Sequence, residues 1–387
     1  MHHQMIKRID GLSKNLVQLA TFIGKNPELN FEEVKAQKAL TDFLKKQGFK
    51  VQLGVGGVKT SFLATYRIGN AGPKIGFLAE YDALPGMGHA CGHNLIGPMS
   101  CGAAVALSKT LKYPATISVV GCPAEEGGGG KVLLAKAGVF DAFDCAMMVH
   151  PDCKTEVIKN MLSLIELDIE FFGRQSHAAA EPEKGINALT AAVQTYTQVL
   201  KMSLHLKKDA RVHAIFPHAG TKPNIIPEFA SLKYYIRALD MSYAKLIVTK
   251  VKDIAKKEAK KIGANIGFRL NPLMYEPFHP NITLAKTFER QLKVLNIPNE
   301  QSDPKERIGS SDVGNVSSLV PTIHPSLKIS NQYFCHTPNF AKAVLSKEGF
   351  KGLVQGAKAL ALTGYEICQN PKLLQKIKQE FKRKHGK

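Results

Sequence analysis

The sequence predicts an α/β protein in which a parallel-rich sheet with helices on both faces is interrupted by an inserted ferredoxin-like α+β domain. Three observations carry this. Strand, polar loop and helix follow one another repeatedly between Lys74 and Val149, the rhythm of a parallel sheet. After about Met161 the order becomes strand, helix, strand, strand, helix, strand, which is the ferredoxin-like arrangement. From about Tyr275 the first pattern returns. The 387 residues suffice for two ordinary domains. The expected division is a main domain from 1–162 and 275–387, split by an insert at 163–274.

The elements follow in order. Asp10–Ile23 and Glu32–Gln47 carry helical periodicity, separated by a turn at Pro27. Val51 and Phe62–Arg67 open β-rich material. Ile75–Ala79 is the first run apolar enough for a fully buried strand. Leu95–Leu111, apolar and rich in small residues, predicts a tightly packed helix. Thr116–Gly121 is a second buried strand, Lys131–Ala137 a helix and Cys145–Val149 a third strand. In the insert, Ser163–Phe172, Arg211–Phe216, Phe229–Leu239 and Asn265–Leu270 read as strands, and Lys184–Leu206 and Ser242–Ile262 as helices. The last part gives helix Asn281–Leu295, strand Thr322–Ile329 and helix Ala341–Thr363.

Composition narrows the function. Hydrophobic content of 44% and charged content of 22% are those of a soluble globular protein. No apolar run is long enough to span a bilayer, and the N-terminus lacks the apolar core of a signal peptide. Seven cysteines, an odd number without framework spacing, fit a reducing cytoplasm. The net charge of +20 would attract polyanions. Its lysines, however, spread along helix-like segments such as Lys245–Lys261 without interleaved aromatics, so a solvated basic surface is the reading and no nucleic-acid partner is expected.

Chemistry gathers where strands end. Gly88-His-Ala-Cys-Gly-His-Asn94 packs two imidazoles and a thiol into seven residues, just after the polar loop Glu80–Gly86. Asp82 with Cys91 and His93 follows the first buried strand, Glu125-Glu126 the second and His150 the third. His336 is a fourth candidate. Thiolate, imidazole and carboxylate in this number suit two neighbouring divalent ions. Adjacent glutamates allow one to bind metal while its neighbour, pointing elsewhere, acts as general base. Gly127–Gly130 followed by Lys131 lacks phosphate-loop spacing and a following Ser or Thr, so it is set aside.

These motifs together resemble a known family. Glu80-Tyr-Asp-Ala-Leu-Pro85, Gly88–Asn94, Pro123-Ala-Glu-Glu126, Val149-His-Pro151, Gly173-Arg-Gln-Ser-His-Ala178, Asn224-Ile-Ile-Pro227 and Gly309-Ser-Ser-Asp-Val-Gly314 keep the order found in the aminoacylase/carboxypeptidase superfamily of dinuclear metallopeptidases, in its amidohydrolase branch. The resemblance runs over nearly the whole chain. It implies that Cys91, His93, Glu126, His150 and His336 bind two divalent ions per chain (Zn, Mn, Co or Ni) and that Glu125 is the general base. Asp82 would orient a metal-binding histidine, and His177 would polarise the scissile carbonyl. Asn224 would lie near the substrate carboxylate, with Arg237 as a weaker candidate for the same group. His89, His213 and His218 match no role.

The implied reaction is hydrolysis of the amide bond of a dipeptide or N-acyl amino acid with a free carboxylate, with Glu125 acting on a metal-bound water. The alternative substrate is p-aminobenzoyl-glutamate or another aryl-amide conjugate. The alternative of another class is a non-catalytic, metal-stabilised binding protein, which would have no use for Glu125. The resemblance further implies a homodimer. The insert would serve as dimerisation (lid) domain and bring His177 to the partner's metals.

Overall fold

The computed structural model describes residues 1–301 and 308–386. Two compact units emerge. The first comprises Met1–Asn160, His279–Arg307 and Asn315–Lys387, and the second Met161–Phe278 and Ile308–Gly314.

The first unit opens with α1 (His2–Lys25) and α2 (Val34–Lys46). The apolar stripe Met5, Ile9, Leu16, Ala20 and Ile23 recurs at three- and four-residue steps, so one face of α1 is buried. Strands β1 (Lys50–Leu53), β2 (Phe62–Ile68) and β3 (Lys74–Ala79) precede α3 (His93–Thr110). Then come β4 (Ala115–Gly121), α4 (Gly130–Lys136), β5 (Cys145–Met147) and β6 (His150–Asp152). The sheet order is β1-β2-β4-β3-β5, continued by β11 (Thr322–Ile323). From β4 to β11 every pairing is parallel, whereas β1 and β2 join antiparallel at one edge. Helix α3 packs on β3 and β4 and is buried along almost its whole length, which is why its residues are apolar or small on every side.

The second unit is an antiparallel sheet of β7 (Ile165–Phe172), β8 (Arg211–His218), β9 (Phe229–Arg237) and β10 (Asn265–Leu270), ordered β10-β7-β9-β8. Helices α5 (Ala188–Ser203) and α6 (Met241–Ile262) pack on it, giving the ferredoxin-like order. The strand β7 alternates buried and half-buried residues, as one covered face requires. Asp240 caps α6 by accepting the Tyr243 N–H at 2.6 Å, and Gly263 ends it at φ 74°. Each unit has its own apolar core.

Helix α7 (Ile282–Val294), α8 (Val313–Ser317), β12 (Ser326–Lys328), α9 (Pro338–Ala343), α10 (Lys347–Gln369) and α11 (Pro371–His385) complete the chain. Two single elements expected from the sequence are each divided. Thr322–Ile329 is not one strand: β11 pairs with β5, and β12 pairs with β6 in a separate two-stranded ladder. The break falls at His324-Pro325, where proline has no N–H to give a ladder. Ala341–Thr363 is likewise two helices, because Ser346 accepts the Gly349 N–H at 3.1 Å and starts α10 afresh. Among the described residues no helix is long and apolar enough to cross a membrane.

Candidate metal centre

The segment between β3 and α3 places Asp82, Cys91 and His93. Gly92, at φ 87°, turns the chain into α3, and a Cβ there would stand 2.4 Å from Pro151 Cγ. Glycine is therefore required between the two candidate donors, by both conformation and space. The loop after β4 places Glu125 and Glu126. It begins with Ala124 at φ 57°, a left-handed backbone uncommon for a residue with a side chain. The start of β6 supplies His150. His336, itself at φ 65°, is tied by its N–H to the Ala90 carbonyl at 2.8 Å.

These six side chains converge. Cys91, His93 and His150 offer donor atoms within 4.8 Å of one another, as do Cys91, Glu126 and His336, and His93, Glu125 and Glu126. Cys91 Sγ lies 3.4 Å from His150 Nε2. His150 Nδ1 lies 2.8 Å from the Pro151 carbonyl, so it donates there and leaves Nε2 as a lone pair facing the site. The Asp82 carboxylate has two tasks. Its Oδ1 holds His93 Nδ1 at 2.8 Å, and its Oδ2 accepts the Glu126 backbone N–H at 2.9 Å. One buried group thus orients the imidazole and fixes the loop that carries both glutamates.

Adjacent glutamates do not point apart here, contrary to the sequence expectation. Glu125 Oε2 and Glu126 Oε1 both stand 4.0 Å from His93 Nε2. The left-handed turn at Ala124 and the glycines that follow take this segment out of extended backbone, so two-residue alternation no longer applies. Glu126 also reaches His336, at 3.3 Å.

The electrostatics ask for a cation. His93 Nε2 is buried without a hydrogen-bond partner among the described residues, and Glu80, Glu125 and Glu126 face it at 3.5–4.0 Å. Burial pushes the His93 imidazole down, but Asp82, Glu80 and Glu126 overrule it and draw positive charge to the ring. Burial and then His93 lower His150, keeping that imidazole neutral. Burial would raise Glu126, yet His336 and His93 hold it well below the usual carboxylate range. Neutral imidazole, carboxylate and a thiol around an orphaned nitrogen are the donor set of a transition-metal site, and a divalent ion fits it.

Four residues around this centre had no role in the sequence reading. Glu80 is buried and pairs with the equally buried Lys131 at 2.5 Å. His324, also buried, stacks on His150 with ring centroids 5.3 Å apart. Glu33 is buried and accepts from Ala124 N–H (2.9 Å), Phe31 N–H (3.0 Å) and Thr60 Oγ1 (2.7 Å), so it anchors the turn that leads into Glu125. Burial lifts its carboxyl to about 7.

In the second unit, His177 and Asn224 lie side by side on exposed loops, joined by the Ala178 N–H to Asn224 carbonyl bond at 3.0 Å. His177 Nδ1 accepts from the Ala179 and Ala180 N–H groups at 3.3 and 3.0 Å. The ring proton therefore sits on Nε2, which faces outward as a donor. Arg237 closes β9. Its Nη1 donates to Ser310 Oγ at 3.3 Å, while its Nε is buried without a hydrogen-bond partner among the described residues.

Comparison with known proteins shows what the chain is similar to. Residues 162–263 match the peptidase dimerisation domain model. The chain is 35% identical to mouse Xaa-Arg dipeptidase over 97% of its own length and 91% of that protein. It is 32% identical to a p-aminobenzoyl-glutamate hydrolase subunit of Escherichia coli over 76% of its length and 65% of that protein. A solved M20-family peptidase from Bacillus subtilis, described as binding a dinuclear metal, superposes with a TM-score of 0.72 at 20% identity, covering 92% of this chain and 99% of that one. The chain belongs to the M20 family of metallopeptidases, in the amidohydrolase branch of the aminoacylase/carboxypeptidase superfamily, whose members hydrolyse amide bonds.

Proposed function

We propose that this protein is a metal-dependent dipeptidase that cleaves the amide bond of a dipeptide or N-acyl amino acid bearing a free carboxylate. The observation that carries the reading is the convergence of Cys91, His93, Glu126, His150 and His336 with Glu125 beside them. Those five would hold two divalent ions. Zn, Mn, Co and Ni all suit mixed sulfur, nitrogen and oxygen donors. Bound there, the metals supply Lewis acidity toward the carbonyl and lower the pKa of water. Glu125 takes the proton of the attacking water and passes it to the leaving amine. Asp82 keeps His93 and the glutamate loop in register throughout. The outward Nε2–H of His177 suits the developing oxyanion. Asn224 and the unsatisfied Nε of Arg237 suit the substrate carboxylate.

The substrate test is a panel assayed after metal removal and reconstitution. It contains dipeptides ending in Lys or Arg, N-acyl amino acids, p-aminobenzoyl-glutamate and the C-terminal amides of each. The expected outcome is metal-dependent cleavage of a free-acid dipeptide ending in a basic residue, with the amide cut slowly or not at all. The likeness to p-aminobenzoyl-glutamate hydrolase makes that conjugate the second reading, and preferred turnover of it would displace the first. Metal content should approach two ions per chain and fall in Cys91→Ala. Full activity in exhaustively metal-free protein would sink the whole assignment.

We also infer a cytoplasmic homodimer, with 163–274 as the inserted dimerisation domain between catalytic segments 1–162 and 275–387. Strand β8 lies at the sheet edge with Ile215 62% exposed, and Leu200 near the end of α5 and Leu204 just after it are exposed. An unpaired edge with apolar neighbours is suited to join its copy across a two-fold axis. In this arrangement His177 serves the partner's metals. Glu125→Gln and His177→Ala chains, each inactive alone, should regain one good site in mixed dimers. Mixed dimers that form and stay inactive would rule out action in trans.

A further inference from the structure

Beside the metal centre lies a second thiol with no part in the reaction above. We propose that Cys335 and Cys91 form a reversible disulfide, making this pair an oxidation site built into the metal centre. The backbone brings them near one another. The His336 N–H bonds to the Ala90 carbonyl at 2.8 Å, which joins the two chain segments at the residues next to Cys335 and Cys91. Cys335 is the leading influence that pushes the Cys91 thiol up, which makes the two sulfurs neighbours. Both also converge on one short segment: Cys91 Sγ lies 3.4 Å from His150 Nε2 and Cys335 Sγ 3.7 Å from the Pro151 carbonyl.

Access separates their roles. Cys91 is 8% exposed, whereas Cys335 is half-buried between the exposed Phe334 and His336. A small oxidant such as hydrogen peroxide reaches Cys335 first. The Cys335 thiolate attacks one peroxide oxygen, the O–O bond breaks, and hydroxide leaves to give the sulfenic acid and, with a proton, water. The Cys91 sulfur then attacks the Cys335 sulfur, the S–S bond forms, and the sulfenic oxygen departs as a second water with the remaining proton. Two thiols lose two electrons in total, and one peroxide becomes two waters. A dithiol reductant reverses the step by exchange. Transient, regulatory disulfides of this kind are the ones expected in a reducing compartment.

The disulfide itself does not depend on the function proposed above, but its consequence does: it removes the sulfur donor from the metal centre. A metal-bound Cys91 would in turn be withheld from Cys335, so oxidation should be faster in chelated protein. Cys153 is the competing partner, since it is also half-buried and close enough to Cys335 to feel its charge.

The test treats metal-free protein with dilute hydrogen peroxide, followed by intact mass and unreduced peptide mapping. The expected result is loss of the mass of two hydrogens and a Cys91–Cys335 linked peptide, both reversed by dithiothreitol and both absent in Cys335→Ser. A Cys153–Cys335 link, or sulfinic acid on Cys335 without a link, would overturn the proposal. Equilibrium dialysis with Mn or Zn then reads the consequence. Oxidised protein should bind metal at least roughly tenfold more weakly, the scale of damage to a metal site's supports, while reduced Cys335→Ser binds normally. A confirmed link with unchanged metal binding would leave the disulfide standing and remove Cys91 from the metal centre.

Discussion

Glu125→Gln is expected to lower turnover by on the order of 10²–10⁴-fold, the range that general acid–base catalysis contributes, while metal content stays at the wild-type level. The amide is nearly isosteric, so the packing around Ala124 and Asp82 is preserved. What it lacks is a basic oxygen able to receive a proton. Glu126→Gln provides the contrast. Glu126 stands 3.3 Å from His336 and shares a donor group with Cys91, so that change should weaken metal binding as well as rate. Both carboxylates lie 4.0 Å from His93 Nε2, and distance to the histidine alone does not separate their roles. The decisive measurement is therefore metal stoichiometry beside kcat for each variant. Normal turnover in Glu125→Gln would show that the base lies elsewhere.

The Cys91–His93, Glu125–Glu126, His150 and His336 cluster was legible because each group follows a buried strand or sits in a short polar loop. Chemistry at the ends of parallel strands is where open α/β sheets collect it. The ferredoxin-like unit was legible for the same reason that its strands are stable: apolar residues alternate along β7 and recur helically along α6. The supports of the site were harder to see. Glu33 reads as an ordinary acidic residue at a helix start, and only the folded chain shows Ala124, 91 positions away, donating to it. His324 carries no spacing signal, because its partner His150 is brought near by the ladder that Pro325 forces the chain to change. Lys131 did leave a trace. A cation in the first turn of α4 opposes the helix dipole, which is a reason to look for an anion beside it. Its place after four glycines drew attention to phosphate instead.

That anion is Glu80, and Lys131→Met is expected to destabilise the fold by about 3–5 kcal/mol, the usual result of removing one partner of a buried pair. Lys131 Nζ and Glu80 Oε1 are 2.5 Å apart, with side chains 0% and 1% exposed. Methionine fills most of the space, so the loss is electrostatic rather than a cavity. Burial alone would raise the Glu80 carboxyl, and Lys131, ahead of His93, His324 and His150, holds it down. Without Lys131 the folded-state carboxyl moves up, while in the unfolded chain it keeps its ordinary value. The variant's penalty is then greatest at neutral pH, where the unfolded chain is ionised, and shrinks as pH falls toward the ordinary carboxylate range. Chemical unfolding of chelated protein, measured at neutral pH and near pH 5, reads both effects. Glu80→Met combined with Lys131→Met should recover most of the stability, because an apolar pair leaves no stranded charge. A Lys131→Met midpoint within the error of wild type would mean that Glu80 is stabilised by its histidine neighbours instead.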